Sequence, residues 1–433
     1  MSEVKLEDIV SLAKRRGFVY PSSEVYGGLA GVYDYGPLGV RLKRNIVNAW
    51  LKFFVDGWDD MYQVDAGLLM NKKVWEASGH ATGFNDPLVE CNKCHSRFRE
   101  DHVDHSKPCP VCGERDSYGQ ARMFNMMFKT HVGPVEDDES ISYLRPETAQ
   151  GIFVNFKNVV DSFYPDLPFG IAQVGKAFRN EISPREFLFR LRELEQMEIE
   201  YFVHPDDWEK QFEKWRKDTI DFFKKIGLPE DKIHELEVPE EDRAHYSKRT
   251  IDFEFDYPFG KRELSGLAYR TDFDLQNIQK ASGKSMEYRP KDGSAAFVPH
   301  VIEPSFGVDR AVLAVLASAY TEDEVEGEKR IYLKLDPSIA PVKVAVSPLL
   351  KNKPELVEKA REVYKALKKE FGAVMWDDNG NIGKRYRRQD EIGTPYCVTI
   401  DFDTLTDNTV TVRNRDTTKQ ERIQADKLVE KIK

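Results

Sequence analysis

The sequence predicts a multidomain protein of mixed helices and strands that ends in an α/β layer domain, and three observations predict it. At 433 residues the chain exceeds what one hydrophobic core supports, so two or three domains are expected. Helical spacing over 208–226 is followed by strict alternation at Ile251-Asp252-Phe253-Glu254-Phe255, the mark of a half-buried strand. Past a charged stretch at 321–329 and a proline-bounded segment at 337–341, the pattern changes to short apolar runs around one helix, which implies α/β layers.

In chain order, residues 5–16 read as a short helix. A breaker-rich turn, Asp34-Tyr35-Gly36-Pro37-Leu38-Gly39, precedes an amphipathic helix over 40–54, with Leu42, Ile46, Ala49, Trp50 and Phe53 at helical spacing. The helix over 208–226 follows Asp206 and Asp207, where negative charge suits a helix N-terminus, and stops at Gly227-Leu228-Pro229. Residues 305–319 read as a glycine-containing turn feeding a buried helix. Beyond the boundary, 342–346 reads as a strand. Leu356, Ala360, Val363, Leu367 and Phe371 then make one helical face, with Gly372 as its C-cap. Apolar runs at 373–376, 396–400 and 410–412 supply further strands.

A formal charge of −10 argues against a protein that coats nucleic acid by bulk charge, while leaving room for a local basic groove. No apolar run approaches the length of a membrane span, and Met1-Ser2-Glu3-Val4-Lys5-Leu6-Glu7 lacks an apolar leader core, so a cytoplasmic protein is expected. Four of the five cysteines form two Cys-x-x-Cys knuckles, Cys91/Cys94 and Cys109/Cys112, separated by 14 residues. Such knuckles bring four thiolates to a structural zinc with no open position. His95, His102 and His105 stand close enough in sequence to replace one of them. Cys397, alone in an apolar run, reads as a small core residue.

The chemistry starts at Phe178-Arg179-Asn180-Glu181-Ile182-Ser183-Pro184. On a strand, Arg179 and Glu181 share a face. A fork cation suits phosphate and carboxylate oxygens, and a carboxylate suits amino groups, a combination ATP presents. Alone, such a pair is usually a surface ion pair. It is joined by a returning strand over 189–201, by the acid, glycine turn and arginine of Glu303-Pro304-Ser305-Phe306-Gly307-Val308-Asp309-Arg310, and by the 40–54 helix with the extended stretch 61–69 after it. These resemble motifs 2, 3 and 1 of class II aminoacyl-tRNA synthetases. Residues 33–39, Arg145-Pro146-Glu147-Thr148-Ala149-Gln150-Gly151 and Tyr269-Arg270-Thr271-Asp272-Phe273-Asp274-Leu275 narrow the resemblance to the dimeric glycyl-tRNA synthetase family, over nearly the whole chain.

The resemblance implies an α+β catalytic domain over 1–336 with a central antiparallel sheet, interrupted by a zinc-binding insertion at 83–120 and a helical insertion at 204–250. An anticodon-binding domain follows over 337–433. It implies ligation of glycine to tRNA-Gly through glycyl-adenylate, with ATP, magnesium and a structural zinc, by a homodimer. Arg179 would hold the α-phosphate and glycine carboxylate, Glu181 the adenine amino group and Arg310 the γ-phosphate. Asn180, Phe189, Arg190, Leu191, Arg192, Glu193, Leu194, Leu264, Gly307, Val308 and Asp309 would complete the ATP site, with Glu263 beside magnesium. Glycine would lie among Glu147, Glu198, Glu303 and Ser305, along the stretches Leu194-Glu195-Gln196-Met197-Glu198 and Glu303-Pro304-Ser305-Phe306-Gly307. Arg99 contacts the substrate by the same resemblance, with Arg97 a near neighbour.

A pocket for glycine must grip only an ammonium and a carboxylate and exclude everything larger. Acids gathered for this purpose raise one another's pKa unless cations compensate, and Arg145 and Arg179 are the candidates. Two features depart from the class pattern: Asp60 to Asn71 contains no proline, and Leu194 stands where a phenylalanine normally lies under adenine. The run Lys384-Arg385-Tyr386-Arg387-Arg388 suits phosphates and bases of an anticodon loop, though a solvated helix face has the same composition. A synthetase-like protein that only binds would have no need of so complete an ATP clamp.

Overall fold

The computed structural model describes residues 4–244, 246–325 and 327–433. Residues 1–3, which open the segment read above for a leader, lie outside the described residues, as do His245 and Glu326.

Seven strands form the central sheet: β1 (Met61–Gln63), β2 (Phe169–Phe178), β3 (Glu193–Val203), β4 (Ile233–Glu237), β5 (Arg249–Tyr257), β6 (Gly260–Thr271) and β7 (His300–Gly307). Their order is β4-β5-β6-β7-β3-β2-β1. Every pairing is antiparallel except β1 with β2, which is parallel. The expected antiparallel sheet is therefore mixed at one edge. A parallel pair needs a long crossover, and residues 64–168 provide it, carrying the cysteine knuckles on the way. The segment 204–250 supplies β4 of this sheet as well as a helix.

Three helices cover one face: α1 (Pro37–Trp50), α2 (Trp208–Lys225) and α3 (Val308–Ala319). α1 starts three residues before the spacing alone suggested, because Pro37 sits in its first turn, where its missing N–H costs nothing. Its end widens into a π-turn at Leu51–Val55 that turns Phe54 onto Trp215 of α2, with ring centroids 5.3 Å apart. α3 is buried along almost its whole length, as its apolar composition requires.

β3 shows how the sheet is divided. Met197, Ile199, Tyr201 and Val203 alternate into the helical core. Gln196, Glu198 and Glu200 point to the opposite face. Further along that second face, Phe169, Ile171, Phe202 and Val301 build an apolar cluster beneath the helices Ala149–Phe153 and Phe156–Phe163. The polar part of the face, with Gln196 and Glu198, is left as the floor of a cleft.

The charged stretch 321–329 is not a bare linker. It forms a hairpin of Tyr320–Val325 with Glu328–Leu333. The C-terminal unit comprises β8 (Val344–Pro348), α4 (Pro354–Phe371), β9 (Val374–Trp376), α5 (Ile382–Glu391), β10 (Tyr396–Ile400), β11 (Thr409–Asn414) and β12 (Gln420–Gln424). Its sheet runs β9-β8-β10-β11-β12, parallel around β8 and antiparallel beyond β10. Gly372 ends α4 at φ +64°, as its reading as a C-cap required.

Candidate active site

Sheet register assembles the acids. Glu198 of β3 lies opposite Gln173 of β2 and Ser305 of β7, and Ser305 lies opposite Gly266 of β6. Both Glu198 oxygens are engaged: Ser305 Oγ donates to one at 2.7 Å and Thr148 Oγ1 donates to the other. Glu303, opposite Ala268 and on the same face, accepts from Arg270 at 2.9 Å through each oxygen. Glu147 enters from the loop before the Ala149–Phe153 helix, 3.2 Å from His80 Nε2. Glu147, Glu198 and Glu303 are thus brought together as expected, and all three are buried.

The cation that balances them is Arg270, which sequence reasoning passed over as a catalytic group. It is 1 % exposed, pairs with Asp274 through two hydrogen bonds and lies over the Tyr246 ring at 3.8 Å. Arg145, one of the expected partners, is committed elsewhere: it donates to the carbonyls of Lys176 and Ala66 at 2.6 and 2.7 Å. Burial pushes the Glu303 carboxyl up to about 8, with Glu198 and Glu147 adding to the shift and Arg270 opposing it. Burial also raises Glu147, but His80, Arg270 and Arg179 outweigh it and hold the group below the usual range. Glu200, fully buried one step behind Glu198, is raised well above the usual range by burial and by Glu303.

Arg179 and Glu181 come together in a different way from that expected. β2 stops at Phe178, and the Glu181 N–H donates to the Arg179 carbonyl at 2.7 Å, a γ-turn at Asn180. A turn, not strand pleating, sets the pair. The returning strand starts at Glu193 instead of 189, because Glu186 and Phe187 adopt left-handed φ of +61° and +56° in the intervening loop. Arg179 Nε donates to the Pro146 carbonyl, which directs the guanidinium between the acids and the nucleotide side. Across the cleft, Arg310 pairs with Glu263 at 2.9 Å and lies over the Phe189 ring at 4.5 Å. Arg310 is the main cause holding the Glu263 carboxyl below its ordinary value. Leu194 and Arg190 line the same cleft, and Arg190 stands 3.9 Å from Glu181.

Several expected contact residues serve instead as supports. Met197, Phe306 and Val308 face the helical core. Asp309 accepts from Tyr35 Oη and from the Glu195 N–H, so both its oxygens tie β3 and the 33–35 strand to the start of α3. Arg192 donates to the carbonyls of Glu181 and Ala30 and holds the loop. Glu193 pairs with Lys176, and Glu195 with Lys43. Asn180, Leu191, Leu264, Gln196, Pro304 and Gly307 border the cleft or its strands.

The four knuckle thiols converge. All lie within 4.8 Å of one another, with Cys91 to Cys112 at 3.7 Å and Cys94 to Cys109 at 3.8 Å. Sulfurs bound at about 2.3 Å around a tetrahedral zinc are separated by roughly 3.8 Å, so the thiols fit that ion without help from the nearby histidines. The strand Arg97–Arg99 follows the first knuckle and pairs with Asn85–Glu90. Arg97 pairs with the partly exposed Glu90, and Arg99 reaches Asp86 at 3.0 Å, at the rim of the nucleotide cleft. No comparable group of three ligands gathers around Glu263 among the described residues, so a magnesium there would need phosphate and water oxygens as well.

The cationic run forms α5, but much of its charge is spent internally. Arg385 is buried and donates to the carbonyls of Pro348, Asp378 and Gly380, which corrects its assignment as a nucleic-acid contact. Arg388 pairs with Asp377 and Arg387 with Glu328. Tyr386 Oη is 2.9 Å from Thr399 Oγ1, and Lys384 is exposed.

Comparison with known proteins identifies the class first. A tRNA synthetase class II core domain (G, H, P, S and T) matches residues 128–319, and an anticodon binding domain matches 343–433. The Giardia lamblia prolyl-tRNA synthetase in complex with prolyl-adenylate shares the fold with a TM-score of 0.70 at 17% identity, over 98% of this chain and 75% of that one. Fold and core domain together define a class II aminoacyl-tRNA synthetase. The glycine–tRNA ligases of Thermobifida fusca and Caldanaerobacter subterraneus subsp. tengcongensis are 49% and 48% identical to it, over 98% and 100% of this chain and 96% and 99% of theirs. That of Borrelia garinii subsp. bavariensis is 50% identical over 99% of this chain and 97% of its own. The chain belongs to the glycine–tRNA ligase family.

Proposed function

We propose that this chain ligates glycine to tRNA-Gly in two steps. A glycine carboxylate oxygen attacks the α-phosphorus of ATP, and the bond to pyrophosphate breaks. A hydroxyl of the tRNA 3′ end then attacks the carbonyl carbon of glycyl-adenylate, and the bond to AMP breaks. The observation that carries this reading is the meeting of two cavities at Arg179, one lined by Glu147, Glu198 and Glu303, the other by Glu181, Leu194 and Arg310.

In this reading the three acids take the ammonium, and Arg179 neutralises the charge shared by carboxylate and α-phosphate as they approach. Arg310, in the first turn of α3, holds the far phosphate. Glu181 accepts from the adenine amino group, and Arg99 closes the rim. Glu263 would be among the ligands of a magnesium ion, which would neutralise charge on the phosphates. Cys91, Cys94, Cys109 and Cys112 would hold a zinc that steadies the Arg99 strand and leaves no open position for chemistry. Lys384 and Arg387 are the members of the α5 run best placed for tRNA. We also infer a cytoplasmic homodimer from family membership, in keeping with no helix among the described residues being long and apolar enough to cross a membrane; sedimentation at micromolar concentration tests the dimer.

Glycine-dependent exchange of labelled pyrophosphate into ATP, with alanine, serine and proline as controls, tests the reading. Exchange with glycine alone is expected. No exchange with any amino acid sinks the proposal.

A further inference from the structure

Gly266 has no reason within the fold to be glycine. It lies inside β6, flanked by paired strands, with φ outside the left-handed region that favours glycine. A Cβ built on it meets only Asp252 Oδ1, at 3.9 Å, an ordinary contact. This sets it apart from Gly151, Gly170 and Gly175, where a Cβ would fall within 3.0 Å of a neighbouring side chain. Glycine in a strand interior is unfavourable, so an unforced one marks a place where another group approaches closely.

The space above Gly266 belongs to the acid-lined cavity. Register puts Ser305 on one side of it and Asp252 on the other, in the row that begins with Glu198. Ser305 is occupied with Glu198. Among the described residues, the Asp252 side chain has no hydrogen bond and no ion pair, although the charges of Glu263, Glu254 and Arg310 all act on it. Asp242, Arg243 and Tyr246 border the same cavity from the loop above. Asp252 is therefore an acceptor aimed into an open notch between the nucleotide side and the acid cluster, the location where a ribose must lie if both substrates bind as proposed above.

We propose that Asp252 and the notch above Gly266 form a subsite for a ribose hydroxyl, which donates its O–H to the Asp252 carboxylate. Resting as it does on the proposed ligase activity, the subsite has two sources of that hydroxyl: ATP, or the terminal adenosine of tRNA. Asp252→Asn and Gly266→Ala separate them. Pyrophosphate exchange uses ATP and glycine only, whereas single-turnover transfer from preformed adenylate adds tRNA.

A loss of about tenfold or more in exchange through the ATP Michaelis constant assigns the hydroxyl to ATP; the same loss confined to transfer assigns it to tRNA. Gly266→Ala should lose activity in the same arm as Asp252→Asn while its thermal midpoint is no lower than that of the parent, because alanine suits a strand interior better than glycine. Both variants within about twofold of the parent in both arms would overturn the subsite. So would a Gly266→Ala protein whose thermal midpoint falls along with its activity. Absence of exchange in the parent protein itself would instead overturn the ligase reading.

Discussion

At the scale of single residues, the acid cluster makes the site depend on pH. Glu303 titrates near 8 because it is buried beside Glu198 and Glu147. Rising pH ionises it, and the ionised form is the one that attracts an ammonium. The Michaelis constant for glycine should therefore fall as pH rises toward about 8, and Glu303→Gln should flatten that dependence while raising the constant at every pH; an unchanged profile in the variant would exclude Glu303 as its source. The sign for stability is opposite. A carboxyl with a raised pKa favours the fold when protonated, so that contribution is present in acid and lost as pH climbs through about 8. Arg270 is the counterweight. Replacing it by alanine leaves Asp274 as an uncompensated buried charge and Glu303 without its donor, which costs about 3–5 kcal/mol, measurable by denaturant unfolding. Leu194 lines the other half of the site, where adenine is proposed to lie. It offers adenine no π-face, and base–aromatic stacking is worth about 1–3 kcal/mol. Leu194→Phe should lower the ATP Michaelis constant about fivefold or more, and an unchanged constant would show that another group already supplies the stack.

At the scale of elements, the cysteine module proposed to hold zinc would act as a lever for Arg99. The thiols hold the knuckles, the knuckles start the Arg97–Arg99 strand, and that strand delivers one guanidinium to the cleft. Chelation, or Cys94→Ser, should release zinc and raise the Michaelis constants, while Arg99→Ala should reproduce the kinetic loss with zinc still bound. If zinc-depleted protein kept full activity, the lever would not exist. The same elements show what was legible in the sequence. β3 could be read directly, since Gln196, Glu198 and Glu200 alternate with Met197, Ile199 and Tyr201 along its two faces. The knuckles were legible because four soft ligands at fixed spacing have few other uses. Arg270 was not, because its partner Glu303 lies 33 residues away and only the β6–β7 register brings them together. Nor was the γ-turn at Asn180, since the loop after β2 takes its shape from Phe187 and Leu188 entering the core, not from a local signal. A helix face was the alternative reading of the α5 run, and the carbonyls and acids that consume its charge belong to other elements.

At the scale of the whole molecule, one buried carboxylate ties the C-terminal unit to the hairpin that precedes it. Asp390 of α5 is 0 % exposed and accepts two hydrogen bonds from Arg413 of β11, at 2.7 and 2.9 Å, and one from Arg330 at 3.1 Å. Arg330 belongs to the 320–333 hairpin on the catalytic side and also pairs with Asp323 and donates to the Arg415 carbonyl. Arg415 in turn donates to the carbonyls of Leu335 and Gly393. Ion pairs buried this deeply contribute little net stability when intact, but removing one partner strands the other charges. Their use is to fix orientation. A tRNA engaged at its anticodon and its acceptor end binds two surfaces at once, and the second contact gains from the first only if the protein holds both at the matching span. Asp390→Ala should therefore cost about 3–5 kcal/mol in unfolding of the C-terminal unit. The milder Asp390→Asn, which keeps the shape and loses the charge, should leave glycine-dependent pyrophosphate exchange near the parent level and raise the Michaelis constant for tRNA several-fold, because no residue of the joint lines the catalytic cleft, whereas a tRNA held at both ends would feel the joint's orientation. Equal losses in exchange and in tRNA charging would mean that Asp390 stabilises the catalytic body itself; an unchanged constant for tRNA in a variant of lowered stability would mean that the joint sets no orientation the substrate needs.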